Sequence, residues 1–358
     1  MEIQSPTGEE DALARTLRDR VARSGRPITM DGRSVIAHPA PAAQAGSGRD
    51  ARPLVVLAGH IDTVPPRGNA APRRDGATIW GRGAVDMKGG LAVMVSLLDD
   101  RAIGAGWARV GAIFYAGEEG PADGNDLGRL LADDEGPAAW ARGADLAILL
   151  EPTDGAVEIG CVGTVNAEVI FRGVPCHSAR PWLGRSAIDA AIPFLDRVAA
   201  FTPREHTVAG CTFRETAIVT MLRAGVTRNV VPGELEANLN YRYPPGWDAD
   251  RARATVLDLA TGADEVRITD LAPAGAIPLN RPLYVAFLAR SGCPARAKQG
   301  WTDVARFGAI GVPALNFGPG DPSLCHCDDE RIEIGSLETC RRTLASFLTG
   351  DGPFDGGK

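Results

Sequence analysis

The sequence predicts an α/β fold: a mixed, mostly parallel sheet flanked by helices, with a smaller α+β segment inserted into it. Three observations predict it. The runs LVVLAG, GAIFYAG and LAILL are apolar without alternation, as in strands buried on both faces. Between them lie stretches with helical spacing, and strands alternating with helices favour a largely parallel sheet. From residue 164 onward the texture changes to strict alternation, which fits antiparallel strands with one wet face.

In chain order, residues 7–24 read as a helix. Thr7 is a candidate cap, Glu9 and Glu10 suit the first turn, and Leu13, Leu17 and Val21 recur every four residues before Gly25. Strands are expected over 34–37 and 53–58, and a surface loop over 37–52. A helix follows a glycine-rich turn over 88–98, with further buried strands over 108–116 and 146–150. Alternating strands are expected over 164–171 and 234–243, with helices over 186–198 and 248–259. Pro193 is placed to kink the first of these helices. Helix and buried-strand signals then return over 282–288, 314–317 and 336–348, and the tail DGPFDGGK is expected to fray. The predicted organisation is a discontinuous core domain, 1–163 and 274–358, with an inserted domain over 164–273.

Composition narrows the function classes. The 358 residues are 44% hydrophobic, enough for a sizeable core without a disulfide scaffold. The net charge of −7 disfavours nucleic-acid and anionic-membrane partners. Seven cysteines without paired spacing argue against a secreted disulfide framework. The polar start MEIQSPTGEED is unlike a secretion signal. Apolar stretches such as 91–98 are too short to span a bilayer. A soluble, cytoplasmic protein is therefore expected.

The chemistry-bearing residues fall where buried strands end. LVVLAG runs into His60-Ile61-Asp62, and positions i and i+2 of an extended chain share a side. His60 and Asp62 would thus face one spot past a strand's carboxyl end, where α/β sheets place their sites. Asp62 is placed to fix the tautomer of a ligating imidazole, although the pair alone also fits a simple turn. Asp86, in GRGAVDMKGG, suits a carboxylate that bridges two metals, and equally suits a helix N-cap. Glu118 and Glu119 close the strand of GAIFYAGEEG. Adjacent carboxylates there fit a solvated loop, or a pair of which one binds a cation and the other takes a proton. Glu151 and His326 follow two further buried strands. Two imidazoles and three or four carboxylates suit a pair of divalent ions such as zinc, with cobalt or manganese as substitutes. Two ions about 3.5–4 Å apart can activate one water and polarise one carbonyl.

The ordered set GHIDTVP, GRGAVDMKGG, GEE, EPTDG, CHSARP and GPGDPSLCH resembles the di-zinc amidohydrolase and metallopeptidase family. That family includes acetylornithine deacetylase, succinyl-diaminopimelate desuccinylase and glutamate carboxypeptidase. The resemblance covers nearly the whole chain, and six motifs in order make it highly specific. GAVDMKGGLAVM, LLEPTDG, HSARPWLGR, GWTDVARF and NFGPGDP are most similar to the actinobacterial desuccinylase type. The resemblance implies a zinc-hydrolase core in which His60 and Glu151 bind one zinc, Glu119 and His326 the other, and Asp86 both. It implies that Asp62 orients His60 and that Glu118 is the general base, taking a proton from the bridging water and returning it to the leaving amine. It further implies a cis peptide after Asp86 and a homodimer, with the inserted domain as dimerisation domain or lid. His177 would cross to the partner's active site to stabilise the oxyanion.

On the substrate side, Arg242 and Asn229 match positions where relatives hold substrate contacts. Arg180, Thr302 and Gly318 are further candidates for gripping a carboxylate. The implied reaction is hydrolysis of an N-acyl amino acid amide, foremost N-succinyl-LL-diaminopimelate to succinate and LL-diaminopimelate in lysine synthesis. Alternatives are a related deacylase or dipeptidase and, more remotely, a non-catalytic binding protein on the same fold. Cys176, Cys325 and Cys327 flank the key histidines and read as small buried fillers. His38 and His206 match no motif and are expected at the surface, and Trp182 is expected to line the lid.

Overall fold

A computed structural model describes residues 2–40, 50–69 and 71–350. Most of the expected 37–52 loop and all of the tail 351–358 lie outside the described residues. The chain divides into two compact units. One holds Met1–Ile159, Ile277–Arg296 and Arg306–Lys358; the other holds Gly160–Ala276 and Ala297–Ala305. The second unit thus includes a short return segment that the sequence reading left in the core.

The first unit is built on an eight-stranded sheet. Its order is Ile28–Asp31, Ser34–Ala37, Arg109–Tyr115, Leu54–His60, Leu146–Pro152, Ala314–Gly318, Val157–Ile159 and Ala295–Ala297. The four strands Arg109–Tyr115, Leu54–His60, Leu146–Pro152 and Ala314–Gly318 pair in parallel. Ser34–Ala37 and Val157–Ile159 flank them antiparallel. Apart from the first residue of Arg109–Tyr115, these four strands are buried throughout, which is why their sequences do not alternate. From Leu54–His60 the chain first crosses to one side of the sheet, to Arg109–Tyr115, and then to the other, to Leu146–Pro152. That reversal leaves a crevice at the carboxyl ends of the two strands between which the order switches. His60 and Glu151 stand at those ends.

The Gly89–Asp99 helix is apolar and buried along most of its length. Close packing needs its first glycines. A Cβ on Gly90 would lie 2.4 Å from the Leu150 carbonyl oxygen. The first helix is Asp11–Ala22, shorter than expected. Its N-cap position is Glu10, and Thr7 does not cap it. The Thr7 hydroxyl donates to Asp62 instead, so the expected cap serves the site.

The second unit is a five-stranded antiparallel sheet in the order Arg204–Val208, Cys211–Ala224, Glu234–Tyr243, Gly163–Arg172 and Glu265–Ala272. Its helices Ala187–Ala199 and Ala249–Leu259 are capped by Ser186 and Asp248. Val165, Val169, Leu235 and Leu239 from alternate strand positions meet Phe194, Val198 and Val256 from the helices in one core. The expected alternation thus reads as the inner face of this sheet.

Two expectations need correcting. His38 and His206 are half-buried and partnered rather than free at the surface. His38 Nε2 is 2.9 Å from the Thr29 hydroxyl, and His206 Nε2 is 3.0 Å from the buried Glu215 carboxylate. All seven cysteines are free thiols. Among the described residues no helix is long and apolar enough to cross a membrane.

Candidate active site

The carboxyl end of Leu54–His60 delivers His60, which is 1% exposed. Its Nδ1–H donates to the Asp62 main-chain oxygen at 3.0 Å, which turns Nε2 inward. That Nε2 is 2.9 Å from Asp86 Oδ1 and 3.9 Å from Glu151 Oε1. Asp86 belongs to the turn between the sheet and the Gly89–Asp99 helix. The helix N-cap position is Lys88, so Asp86 is not a cap. The Asp86–Met87 peptide bond is cis. The second oxygen of Asp86 is 3.2 Å from His326 Nε2, and the same nitrogen is 3.0 Å from Glu119 Oε1. His326 adopts a positive φ of 62°, an uncommon backbone state for a non-glycine residue.

Three sets of donor atoms lie within 4.8 Å of one another: His60, Asp86 and Glu151; His60, Glu118 and Glu119; and Asp86, Glu119 and His326. Asp86 is common to the first and third, so its carboxylate joins two clusters. Cysteine appears in none of the three. Cys325 instead packs with Ala84, Val85 and Ile332, and the Cys327 and Cys176 thiols donate to the main-chain oxygens of Ser323 and Arg180. These three thiols are partly exposed rather than buried fillers.

Asp62 holds His60 Nδ1 through its main-chain oxygen, and its carboxylate takes a second task. Its carboxylate Oδ1 is 3.5 Å from His60 Nδ1, farther than its own main-chain oxygen. The carboxylate accepts instead from the Glu118 and Glu119 amides at 3.1 and 3.0 Å and from the Thr7 hydroxyl at 2.9 Å. It therefore pins the turn that presents both glutamates. Thr7 was missed as a site residue. Its signal, a hydroxyl just before a helix, is the same one that marks a cap.

Electrostatics follow from this crowding. Burial alone lowers the His60 pKa, but hydrogen bonds to Asp62 and Asp86 outweigh it and hold the group well above the ordinary imidazole value. Hydrogen bonds to Asp86 and Glu119 push His326 up to about 10. Burial works against ionisation of Asp86, yet His326 and His60 together hold its carboxyl far below the usual range. Nitrogen and oxygen donors gathered around shared carboxylate oxygens are the donor set that divalent zinc, cobalt or manganese takes. The residues present fit a two-ion site.

The other candidates lie in the second unit, except Gly318. His177 is exposed in a bridge with Val230, beside Asn229, whose carbonyl accepts from the Ser178 amide at 2.9 Å. The Ala179 amide donates to His177 Nδ1 at 3.0 Å, so the neutral ring carries its proton on Nε2. Arg180 and Trp182 are exposed, Trp182 by 74%. Arg242 is half-buried on Glu234–Tyr243 and donates to Asn240 Oδ1 at 3.1 Å. Thr302 is buried, and its carbonyl accepts from the Cys161 thiol. The Gly318 amide, expected to serve a substrate, donates to the Thr153 hydroxyl at 3.4 Å. Glycine is required there because a Cβ would lie 2.2 Å from the Leu150 carbonyl oxygen.

Residues 56–350 match the model of peptidase family M20/M25/M40. The chain belongs to this family. The resemblance read from the motifs is thereby borne out, and with it an α/β hydrolase of a dinuclear metallopeptidase family. A Mycobacterium tuberculosis member, provisionally named succinyl-diaminopimelate desuccinylase DapE, is 40% identical over 92% of this chain and 90% of its own length. The Corynebacterium glutamicum succinyl-diaminopimelate desuccinylase is 36% identical over 98% of this chain and 94% of its own. Among solved M20 structures, the Bacillus subtilis YXEP protein, described as a dinuclear metal-binding peptidase, superposes with a TM-score of 0.66 at 16% identity. It covers 97% of this chain and 94% of its own.

At pH 7, well below the value of about 10 to which His326 is raised, that imidazole carries a proton, and His60 is shifted in the same direction. Ligation needs both neutral, so loading with metal is expected to release protons, the one on His326 among them. Calorimetric titration at pH 7 in buffers of different ionisation enthalpy measures this. Binding without proton release contradicts it.

Proposed function

We propose that the chain hydrolyses the amide bond of an N-acyl amino acid, with N-succinyl-LL-diaminopimelate as substrate and succinate and LL-diaminopimelate as products. The observation that carries the hydrolytic reading is the Asp86 carboxylate between two imidazoles, with Glu118, Glu119 and Glu151 turned to the same place. The names of the two actinobacterial relatives support the acyl group.

In this reading His60 and Glu151 hold one ion, Glu119 and His326 the other, and Asp86 both. Zinc suits the donor set best, with cobalt or manganese as substitutes. When bound, the ions supply Lewis acidity toward a water and a carbonyl. Glu118 takes the proton of the attacking water and delivers it to the departing amine. Its main-chain amide is tied to Asp62, which limits how far the base can wander from the ligand Glu119. Nε2–H of His177 is available to donate to the oxyanion of the tetrahedral intermediate. Arg242 is the fork for the succinyl or amino-acid carboxylate, with Asn229, Arg180 and Thr302 as further contacts.

The chain acts as a homodimer through the second unit. Arg204–Val208 pairs only with Cys211–Glu215, so the rest of the long Cys211–Ala224 strand has an open edge. Ile218, Met221 and Leu222 on it are half exposed, as are Ile188 and Ile192 on the Ala187–Ala199 helix. An apolar strand edge of this length favours pairing with another copy. Seven free thiols suit a reducing, cytoplasmic setting. Light scattering is expected to give twice the chain mass; a monomer at micromolar concentration contradicts the dimer.

Steady-state rates on N-succinyl-LL-diaminopimelate, N-acetylornithine and a dipeptide panel test the substrate. The highest kcat/KM is expected for the succinyl compound, and a negligible rate on it refutes the assignment. Glu118→Gln is expected to lower kcat by about 10²–10⁴-fold with metal content unchanged. Substantial retained turnover would remove Glu118 from its role as base.

A further inference from the structure

We propose that Glu330 is a positioning residue for the shared ligand Asp86, acting by gripping the main chain of the turn that carries it. The inference rests on the two-ion reading of the site. Asp86 lies in the π-helical turn Ala84–Lys88, where its own dihedrals and those of Met87 are not helical. Gly83 enters that turn at a positive φ of 79°, and the bonds from the Ala84 amide to the Gly81 oxygen and from the Lys88 amide to the Gly83 oxygen do not engage the Gly83, Val85 or Asp86 amides. The Glu330 side chain is fully buried and supplies what the turn lacks. Its Oε1 accepts from the Val85 amide at 3.0 Å and from the Asp86 amide at 3.2 Å. Its Oε2 accepts from the Gly83 amide at 3.0 Å and from Arg82 Nη1 at 3.0 Å.

A turn whose main-chain amides converge on one point favours an anion there. The Gly83, Val85 and Asp86 amides do so, while the Ala84 amide bonds the Gly81 oxygen. Here the chain's own carboxylate occupies that point. Burying that charge is costly unless it is paired and hydrogen-bonded, and Arg82, 2% exposed, pairs it. The Glu330 main-chain oxygen also accepts from the Gly81 amide at 3.0 Å, so one residue ties down the turn from Gly81 to Asp86. His326 lies four residues before Glu330 on the same loop, and Cys325 beside it packs with Ala84 and Val85. The two ligand-bearing segments are thus joined, and Asp86 is set to present one oxygen to His60 and the other to His326 before any ion arrives. Preorganising a ligand in this way lowers the entropy lost on metal binding.

The test is the zinc dissociation constant of the full chain, measured by chelator competition, with kcat and KM alongside. Glu330→Gln keeps the shape but replaces one acceptor oxygen with an amide that cannot accept from Gly83 or Arg82. Zinc affinity is expected to fall by about 10–100-fold. At limiting zinc, kcat should fall with it, while KM stays within about twofold. Asp329→Asn, an exposed neighbour that pairs with Arg331, is expected to bind zinc like the wild type. A lower Tm for Glu330→Gln with zinc affinity and kcat unchanged would reduce Glu330 to a structural role and overturn the proposal. Should the variant not fold, hydrogen exchange in the metal-free wild type decides. The Gly83, Val85 and Asp86 amides are expected to be protected as in the sheet, and free exchange there overturns the proposal. A wild-type chain that takes up no zinc sinks the two-ion reading and this inference together. Two ions in the wild type with an unaffected Glu330→Gln sink only the inference.

Discussion

The Asp86 carboxylate spends one oxygen on His60, at 2.9 Å, and the other on His326, at 3.2 Å. Those imidazoles come from segments more than 250 residues apart, one ending a central strand and the other in a loop after the last parallel strand. Sharing a single carboxylate is what makes two donor clusters one site. The sheet makes that sharing possible. Four parallel strands end at one edge, and the chain reverses its strand order there, so the side chains beyond Tyr115, Pro152, His60 and Gly318 are gathered into one crevice.

Around this centre the acids are organised by hydrogen bonds to main-chain amides. Asp62 takes the amides of Glu118 and Glu119, and Glu330 takes those of Gly83, Val85 and Asp86. Each carboxylate fixes a turn, and each turn presents a carboxylate of the donor clusters. Charge is balanced locally: Arg82 offsets Glu330, and the His60 and His326 imidazoles face Asp86. A chain with a net charge of −7 can thus build a pocket for an anionic acyl substrate, because divalent ions would offset the gathered acids.

Much of this was legible in the sequence because it is local. Apolar runs without alternation mark the parallel strands, and the first polar residues after them are His60, Glu118, Glu119 and Glu151. Strict alternation marks Gly163–Arg172 and Glu234–Tyr243, whose inner faces form the core of the second unit. What was not legible depends on partners distant in sequence. Thr7 reads as a helix cap because its true partner, Asp62, is 55 residues away. Glu330 carries no local signal because the amides it holds are about 245 residues upstream. Gly318 reads as a donor to substrate because the carbonyls that crowd it belong to another strand. Asp62 was expected to hold His60, and it is the main-chain oxygen that accepts from Nδ1 at 3.0 Å, with the carboxylate at 3.5 Å. Residue spacing cannot tell these two acceptors apart.

In the proposed reading, Asp86 joins two ion sites. Anomalous diffraction from crystals of the zinc-loaded protein tests it most directly. Two peaks per chain are expected, one on each side of the Asp86 carboxylate, toward His60 and Glu151 and toward Glu119 and His326. A single peak, or two peaks that Asp86 does not touch, would contradict it.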